Sequence, residues 1–167
     1  MLDACVVGGV DHVLLISSDL DETHANQTVS HAGMQFYCTA GVHPHQAERV
    51  SSDWLSALKQ AALHPNVVAI GECGLDFNRM FASEAAQINV FSQQLQLANQ
   101  LAFPVYLHER DAFSTQLALL KEQQIHRGIA HCFTGNTEQL RQYLDLGLAI
   151  GITGWLCDER RGQELQQ

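Results

Sequence analysis

Val67-Val68-Ala69-Ile70-Gly71-Glu72 places four apolar residues in succession, then a glycine, then an acid. A near-continuous apolar run of this length suits a strand buried on both faces of a parallel sheet. Two further runs have the same form, Pro104-Val105-Tyr106-Leu107-His108 and Gly128-Ile129-Ala130-His131. Each is apolar, β-branched or aromatic in part, and each stops at a side chain that binds divalent metals. In parallel α/β architectures, strand ends converge on one face, where function is built. A glutamate and two histidines arriving there from separate strands suggest a metal site, and a metal site suggests hydrolysis.

Working outward from these runs, strands and helices alternate. Val13 to Ser17, Gln35 to Val42 and Leu148 to Thr153 read as further strands, making six with Val67 to Gly71, Val105 to Leu107 and Gly128 to Ala130. Ser52 or Asp53 can cap a helix through Leu55, Leu58 and Ala62, stopped by Pro65. Ser83 can cap another, whose Ile88, Phe91, Leu95 and Ala98 recur at helical steps. Phe113, Leu117 and Leu120 mark a third, and Thr137 opens a fourth through Leu140 and Leu144, ended by Gly147. The β-α-β-α order predicts a parallel sheet with right-handed crossovers. No linker divides residues 1–167, so one domain is expected. On pattern alone, an open sheet and part of a (β/α)₈ barrel both fit.

Composition limits the function classes. The chain is 46% hydrophobic and 16% charged, as globular proteins are. Its net charge of -9 excludes a broad basic nucleic-acid surface, so an anionic substrate needs metal ions and a few placed arginines. Five scattered cysteines, with no C-x-x-C pair, fit a reducing compartment. The N-terminus lacks a basic region before its apolar residues, and no run is long enough to span a bilayer, so the expected location is cytoplasmic.

The candidate site residues each carry a plainer reading. Glu72 alone could be a structural ion pair, and His108 or His131 alone a hydrogen-bonded core histidine; together, from three strands, they favour a metal centre. Nitrogen ligands suit Zn²⁺ or Mn²⁺, and carboxylate-rich, hydrated sites suit Mg²⁺. His43 and His45 flank Pro44 at a strand end and either bind substrate phosphate or hydrogen-bond within the loop. Asp76 could assist the ligands or act as a general base, but loop capping is the safer reading. Arg79, Arg110, Arg160 and Arg161 lie just beyond strand ends and could grip phosphate, although Arg79 and Arg110 could instead pair with acids such as Asp76, Glu109 and Asp111. Trp155 and Phe133 could stack on bases, although core packing is commoner. His12, His24, His31, His64 and His126 are read as ordinary surface or packing residues.

Gly41-Val42-His43-Pro44-His45, the stretch from Val67 to Arg79, Pro104 to Asp111, Ala130 to Gly135 and Ile150 to Gly162 together resemble the TatD family of metal-dependent deoxyribonucleases. The resemblance runs in order over nearly the whole chain. It implies a TIM-barrel metallohydrolase that hydrolyses DNA, with 3′→5′ exonuclease action on single strands and a role in DNA repair. It assigns metal ligation to Glu72, His108 and His131, catalysis to Glu72 and His131, and a substrate-side role to His43. Mg²⁺ is the expected ion, with Mn²⁺ or Zn²⁺ as alternatives.

The family also has a first strand bearing an H-x-H pair and an eighth ending in E-T-D, neither of which this sequence contains. The expectation is therefore an incomplete barrel holding strands two to seven, a curved sheet with two open edges prone to association. Two other readings follow: a metallohydrolase of an amide or ester outside nucleic acids, and an inactive fragment.

Overall fold

The computed structural model describes residues 2–158. Six strands alternate with helices: α1 (Leu2–Val7), β1 (His12–Leu15), α2 (Leu20–Gln27), β2 (Gln35–Ala40), α3 (Trp54–Ala62), β3 (Val67–Asp76), α4 (Glu84–Leu101), β4 (Val105–Arg110), α5 (Phe113–Glu122), β5 (Gly128–Ala130), α6 (Thr137–Asp145) and β6 (Ala149–Ile150). Short 3-10 turns occupy Pro44–Gln46 and Gly154–Cys157.

Every neighbouring strand pair is parallel, and the order is sequential from β1 to β6. A doubly wound sheet reverses its strand order at a switch point. This one never reverses, which is the wiring of a barrel wall. Sequential wiring sets all the crossover helices on one side of the sheet. Ile70, Leu75, Leu107 and Ala130 from the strands pack with Leu58, Phe91, Leu95, Leu120 and Tyr143 from the helices in one buried cluster. β1 and β6 form the two edges of the sheet.

The boundaries differ from the sequence reading at informative places. β3 does not stop at Gly71. The register passes from Gly71 opposite Tyr106 to Cys73 opposite Leu107, so Glu72 occupies a bulge and the strand resumes through Leu75 to Asp76. The Gly71–Glu72 peptide bond is cis. β4 likewise runs on past Leu107 to Arg110, which puts His108 inside a strand. β6 is shorter than Leu148 to Thr153, because β5 is only three residues long and the chain then turns at Cys132, whose φ is 48°. β1 ends at Leu15, and Ser17 pairs through its side chain instead, donating from Oγ to the Thr39 carbonyl at 2.8 Å.

Two helix starts depart as well. α6 is capped by Asn136, not Thr137, in a reciprocal box with Gln139 at 2.9 Å in each direction. α2 carries almost no apolar signal in Leu-Asp-Glu-Thr-His-Ala-Asn-Gln. It begins where Asp19 accepts the Glu22 N–H at 2.8 Å.

Candidate metal and phosphodiester site

Four consecutive strands deliver the site. His43 follows β2, Glu72 sits in the β3 bulge, His108 lies on β4 and His131 follows β5. Glycines let β3 and β4 close up at this point. Gly74 has φ 141°, and a methyl group there would overlap the His108 carbonyl. The bulge turns Glu72 toward the histidines, and its backbone N–H is anchored on the Ser17 carbonyl at 2.8 Å.

One carboxylate oxygen is the focus. Glu72 Oε1 stands 2.7 Å from His131 Nε2, 3.1 Å from His108 Nδ1 and 3.6 Å from His43 Nε2. His43, Glu72 and His108 each offer a ligand atom, and these three atoms all lie within 4.8 Å of one another. Burial pushes the Glu72 carboxyl up, but hydrogen bonds from His108 and His131, together with nearby imidazole charge, pull it well below the usual carboxylate range. A partly buried carboxylate amid imidazole nitrogens is a donor set that fits a divalent cation; the close set is His43, Glu72 and His108, and His131 meets it through Glu72.

His43 reaches this cluster with its other nitrogen already engaged. Its Nδ1 accepts the His45 backbone N–H at 3.1 Å, capping the turn at Pro44–Gln46. A neutral ring accepting at Nδ1 carries its proton on Nε2, the atom facing Glu72. Burial, the largest influence, brings the His43 pKa down to about 4, so the neutral ring is the favoured form. In this arrangement His43 enters the site as an N–H donor.

Asp76 caps its loop and also touches two of the histidines. Its Oδ1 accepts the Asn78 and Arg79 backbone N–H groups at 3.0 and 2.8 Å, so it caps the loop. Its Oδ2 lies 2.7 Å from His45 Nε2 and 3.4 Å from His108 Nε2. The His108 ring thus stands between two carboxylates. Burial raises the Asp76 carboxyl, and the Arg79 N–H and the His45 ring bring it down overall.

Arg79 and Arg110 do not make the ion pairs weighed against them. Among the described residues, no ion pair joins Arg79 or Arg110 to a carboxylate. Asp76 takes the Arg79 backbone rather than its guanidinium, Asp111 accepts from the Asn78 amide at 2.7 Å, and Glu109 accepts the Ala112 N–H at 2.8 Å. Arg110 lines a cavity of about 810 Å³ with His108, His131, Cys132 and Trp155. Phe133 is buried edge-on against Tyr143, so core packing is its role, while Trp155 faces the cavity. Arg160 and Arg161 lie outside the described residues. His12, His24, His31, His64 and His126 make only local or remote contacts away from this cluster.

Three buried glutamines went unnoticed in the sequence. Gln94 Oε1 accepts the Val42 N–H at 2.8 Å, and its Nε2 donates to the Val42 carbonyl at 3.0 Å. Gln87 does the same for Asp76, at 2.8 and 3.0 Å, and donates to the Ala82 carbonyl at 2.9 Å. Gln116 accepts the Leu75 N–H at 3.0 Å. A side-chain amide has the donor and acceptor of a peptide group, so Gln87 and Gln94 each stand in for a missing strand neighbour, while the Gln116 amide donates to the Tyr143 hydroxyl at 3.4 Å. The available signal was the seven-residue spacing of Gln87 and Gln94, which puts both on the apolar side of α4 with Phe91, Leu95 and Ala98.

The family described as TatD related DNase matches residues 2–167. The chain belongs to this family. A 3′-5′ ssDNA/RNA exonuclease TatD from Klebsiella pneumoniae is 48% identical over 161 residues, covering 95% of this chain and 61% of that protein. Its counterpart in Citrobacter koseri is 43% identical over 164 residues, covering 97% and 63%. Among solved structures, the TatD homologue YJJV from Escherichia coli superposes with a TM-score of 0.84 at 27% identity, covering 95% of this chain and 64% of that one. The phosphotriesterase homology protein of Escherichia coli, at 16% identity and a TM-score of 0.64, covers 89% and 58% and shares the fold. The chain thus spans about three fifths of the length of the TatD proteins it matches. The incomplete (β/α)₈ barrel expected from sequence is the observed architecture: six sequential parallel strands, with barrel proteins as structural neighbours. Among the described residues, no helix is long and apolar enough to cross a membrane.

Proposed function

We propose that this chain carries the hydrolytic centre of a metal-dependent TatD-type nuclease, cleaving phosphodiester bonds of single-stranded DNA from the 3′ end. The observation that carries the reading is the convergence of His131, His108 and His43 on one oxygen of Glu72, beside a cavity holding Arg110. The relatives named as ssDNA/RNA exonucleases support the substrate class and add RNA to it. DNA repair in the cytoplasm is the setting we assign to this activity.

Glu72, His108 and His131 would hold the cation, with Mg²⁺ the ion to test first and Mn²⁺ and Zn²⁺ the alternatives favoured by the two imidazoles. When bound, a divalent cation supplies Lewis-acid polarisation of a phosphoryl oxygen and lowers the pKa of water. The chain's own groups do the rest. His43 donates from Nε2 toward a non-bridging phosphoryl oxygen. Arg110 offers the planar fork of donors that matches a flanking phosphate, and Arg79 extends that grip. Asp76 fixes the His45 ring and, through its other oxygen, the loop that follows. Glu72 holds negative charge among the imidazoles because their hydrogen bonds keep it ionised.

The test is nucleotide release from a 3′-labelled single-stranded oligonucleotide with Mg²⁺ or Mn²⁺. Glu72→Ala and His131→Ala should each lower the rate by more than the roughly 10–100-fold that loss of an outer partner of a metal ligand costs. Metal-dependent release that survives Glu72→Ala would sink the assignment.

A further inference from the structure

The loop after β3 is fastened at both ends and bare at its tip. Asp76 Oδ1 holds the Asn78 and Arg79 N–H groups. At the far end Ala82 is buried, its carbonyl gripped by Gln87, and the Ser83 N–H is held by Glu48 at 2.9 Å. Between these anchors Met80 takes a left-handed φ of 49° and turns the chain outward. Met80 is 45% exposed and Phe81 62% exposed.

The Phe81 ring is placed, not loose. It meets the His45 ring edge to face, with centroids 4.7 Å apart and planes at 74°. His45 in turn packs on His43 at 4.3 Å, and His43 on His108 at 4.6 Å. A row of rings therefore leads from Phe81 to the candidate metal ligands. A large apolar side chain held open to solvent by a pinned backbone, beside a site, has the form of a ligand contact.

The chemistry of that ligand follows from the net charge. At -9 the chain as a whole repels a polyanion, so its general field does not hold a nucleic acid. Affinity must come from local contacts, and part of it from contacts that ignore charge. An aromatic face accepts any nucleobase by stacking, with little sequence preference. Arg79, exposed and two residues before Phe81, is placed for the phosphate that accompanies the base.

We propose that Phe81 is the platform on which a base of the single-stranded substrate stacks, next to the nucleotide whose phosphate enters the Glu72 cluster. The proposal rests on the nuclease reading above and adds the subsite that selects single strands, since a base inside a duplex has both faces covered by its stacked neighbours.

Binding separates the two ideas. A fluorescent oligothymidylate is titrated into the full chain in EDTA, so that nothing turns over, for wild type, Phe81→Ala, Phe81→Leu and Phe81→Trp. Phe81→Ala and Phe81→Leu should each weaken binding about tenfold. Phe81→Trp should restore it, with quenching of the added tryptophan as the oligomer binds. An oligomer of the same length with abasic sites should bind all four chains equally. The deficit of Phe81→Ala should persist as salt is raised, whereas that of Arg79→Ala should shrink. Unchanged affinity in Phe81→Ala, or the same loss toward the abasic oligomer, overturns the proposal. If wild type cleaves the oligomer while Phe81→Ala binds normally, only the Phe81 subsite fails. If wild type neither binds nor cleaves it, the nuclease reading fails and takes the subsite with it.

Discussion

The β3–β4 pair and the β5–β6 pair are both parallel, yet they are built to different tolerances. β3 and β4 stay in register from Ile70 opposite Val105 to Asp76 opposite Arg110, interrupted only where Glu72 bulges out. β5 and β6 pair only at Ile129 with Ala149 and Ala130 with Ile150. The first pair is backed by α4, and it carries Glu72, Asp76 and His108. The second contributes His131, one residue past its strand. Ligands on the central pair are fixed by backbone register, whereas His131 is fixed by its backbone bond to the Leu107 carbonyl at 3.0 Å, its ring stacked on Tyr106 at 5.0 Å and its contact with Glu72. Precision in this site comes from the middle of the sheet and weakens toward its edge.

Glycine substitutions test that contrast most sharply. Gly74→Ala should cost about 3 kcal/mol or more, because the φ is wrong for alanine and the methyl group would strike the His108 carbonyl. Gly154→Ala, near the edge, meets no atom within 4 Å and should stay within about 0.5 kcal/mol. Urea midpoints of the two variants measure the difference directly, and equal losses would end the comparison.

Gln87→Leu should come next, at about 2 kcal/mol. It strands the Asp76 N–H and carbonyl and the Ala82 carbonyl in a dry interior. Gln93→Leu on the same helix, whose amide bonds only to exposed Asn89, serves as the neutral control in the same denaturant series.

Acid should act on the centre before it acts on the carboxylates. Burial holds His43 near 4 in the folded chain against 6.5 when unfolded. Between those values the unfolded chain binds the extra proton, so stability falls as pH drops from about 6.5 toward 4. The loss should be on the order of 3 kcal/mol. Glu72 and Asp76 have folded pKa values below their usual range, so their contribution is present above about pH 4 and is lost only as pH falls further. Thermal melts in EDTA from pH 7 to 4 should show the first decline, and His43→Gln should flatten it. A slope unchanged by that substitution would remove His43 as its source.

The smallest effect belongs to the sheet edge. Leu14 on β1 is 38% exposed beside unpaired backbone. If the open edges drive association, Leu14→Lys should shift sedimentation toward monomer while leaving stability within about 0.5 kcal/mol.

The legible part of the molecule is the part written in apolar rhythm. α4 could be placed from Ile88, Phe91, Leu95 and Ala98, and β3 from four successive apolar residues. α2 could not, because Leu20 and Ala25 are its only apolar residues and its start is signalled by Asp19 alone. Reading Glu72 as a strand terminus followed from the end of the apolar run. A bulge, however, lets a strand turn one polar residue inward and then resume, and no local sequence rule announces that. Glu72, His108 and His131 were nameable from sequence because metal-binding side chains are rare after buried strands. That His43 stands beside them as a donor depends on a hydrogen bond to its Nδ1 from the turn that follows. The buried glutamines were invisible for a related reason: glutamine is an ordinary helix residue until its partner is known to be backbone.

Gln87 and Gln94 read only peptide groups, and a peptide group is the same whatever side chain it bears. The grip of α4 on Val42 and Asp76 is therefore indifferent to the residues presented just beyond them. The segments at 43–46 and 77–81 can be rewritten, by selection or by design, to change what enters the site, while the same helix keeps both strand ends at the same depth.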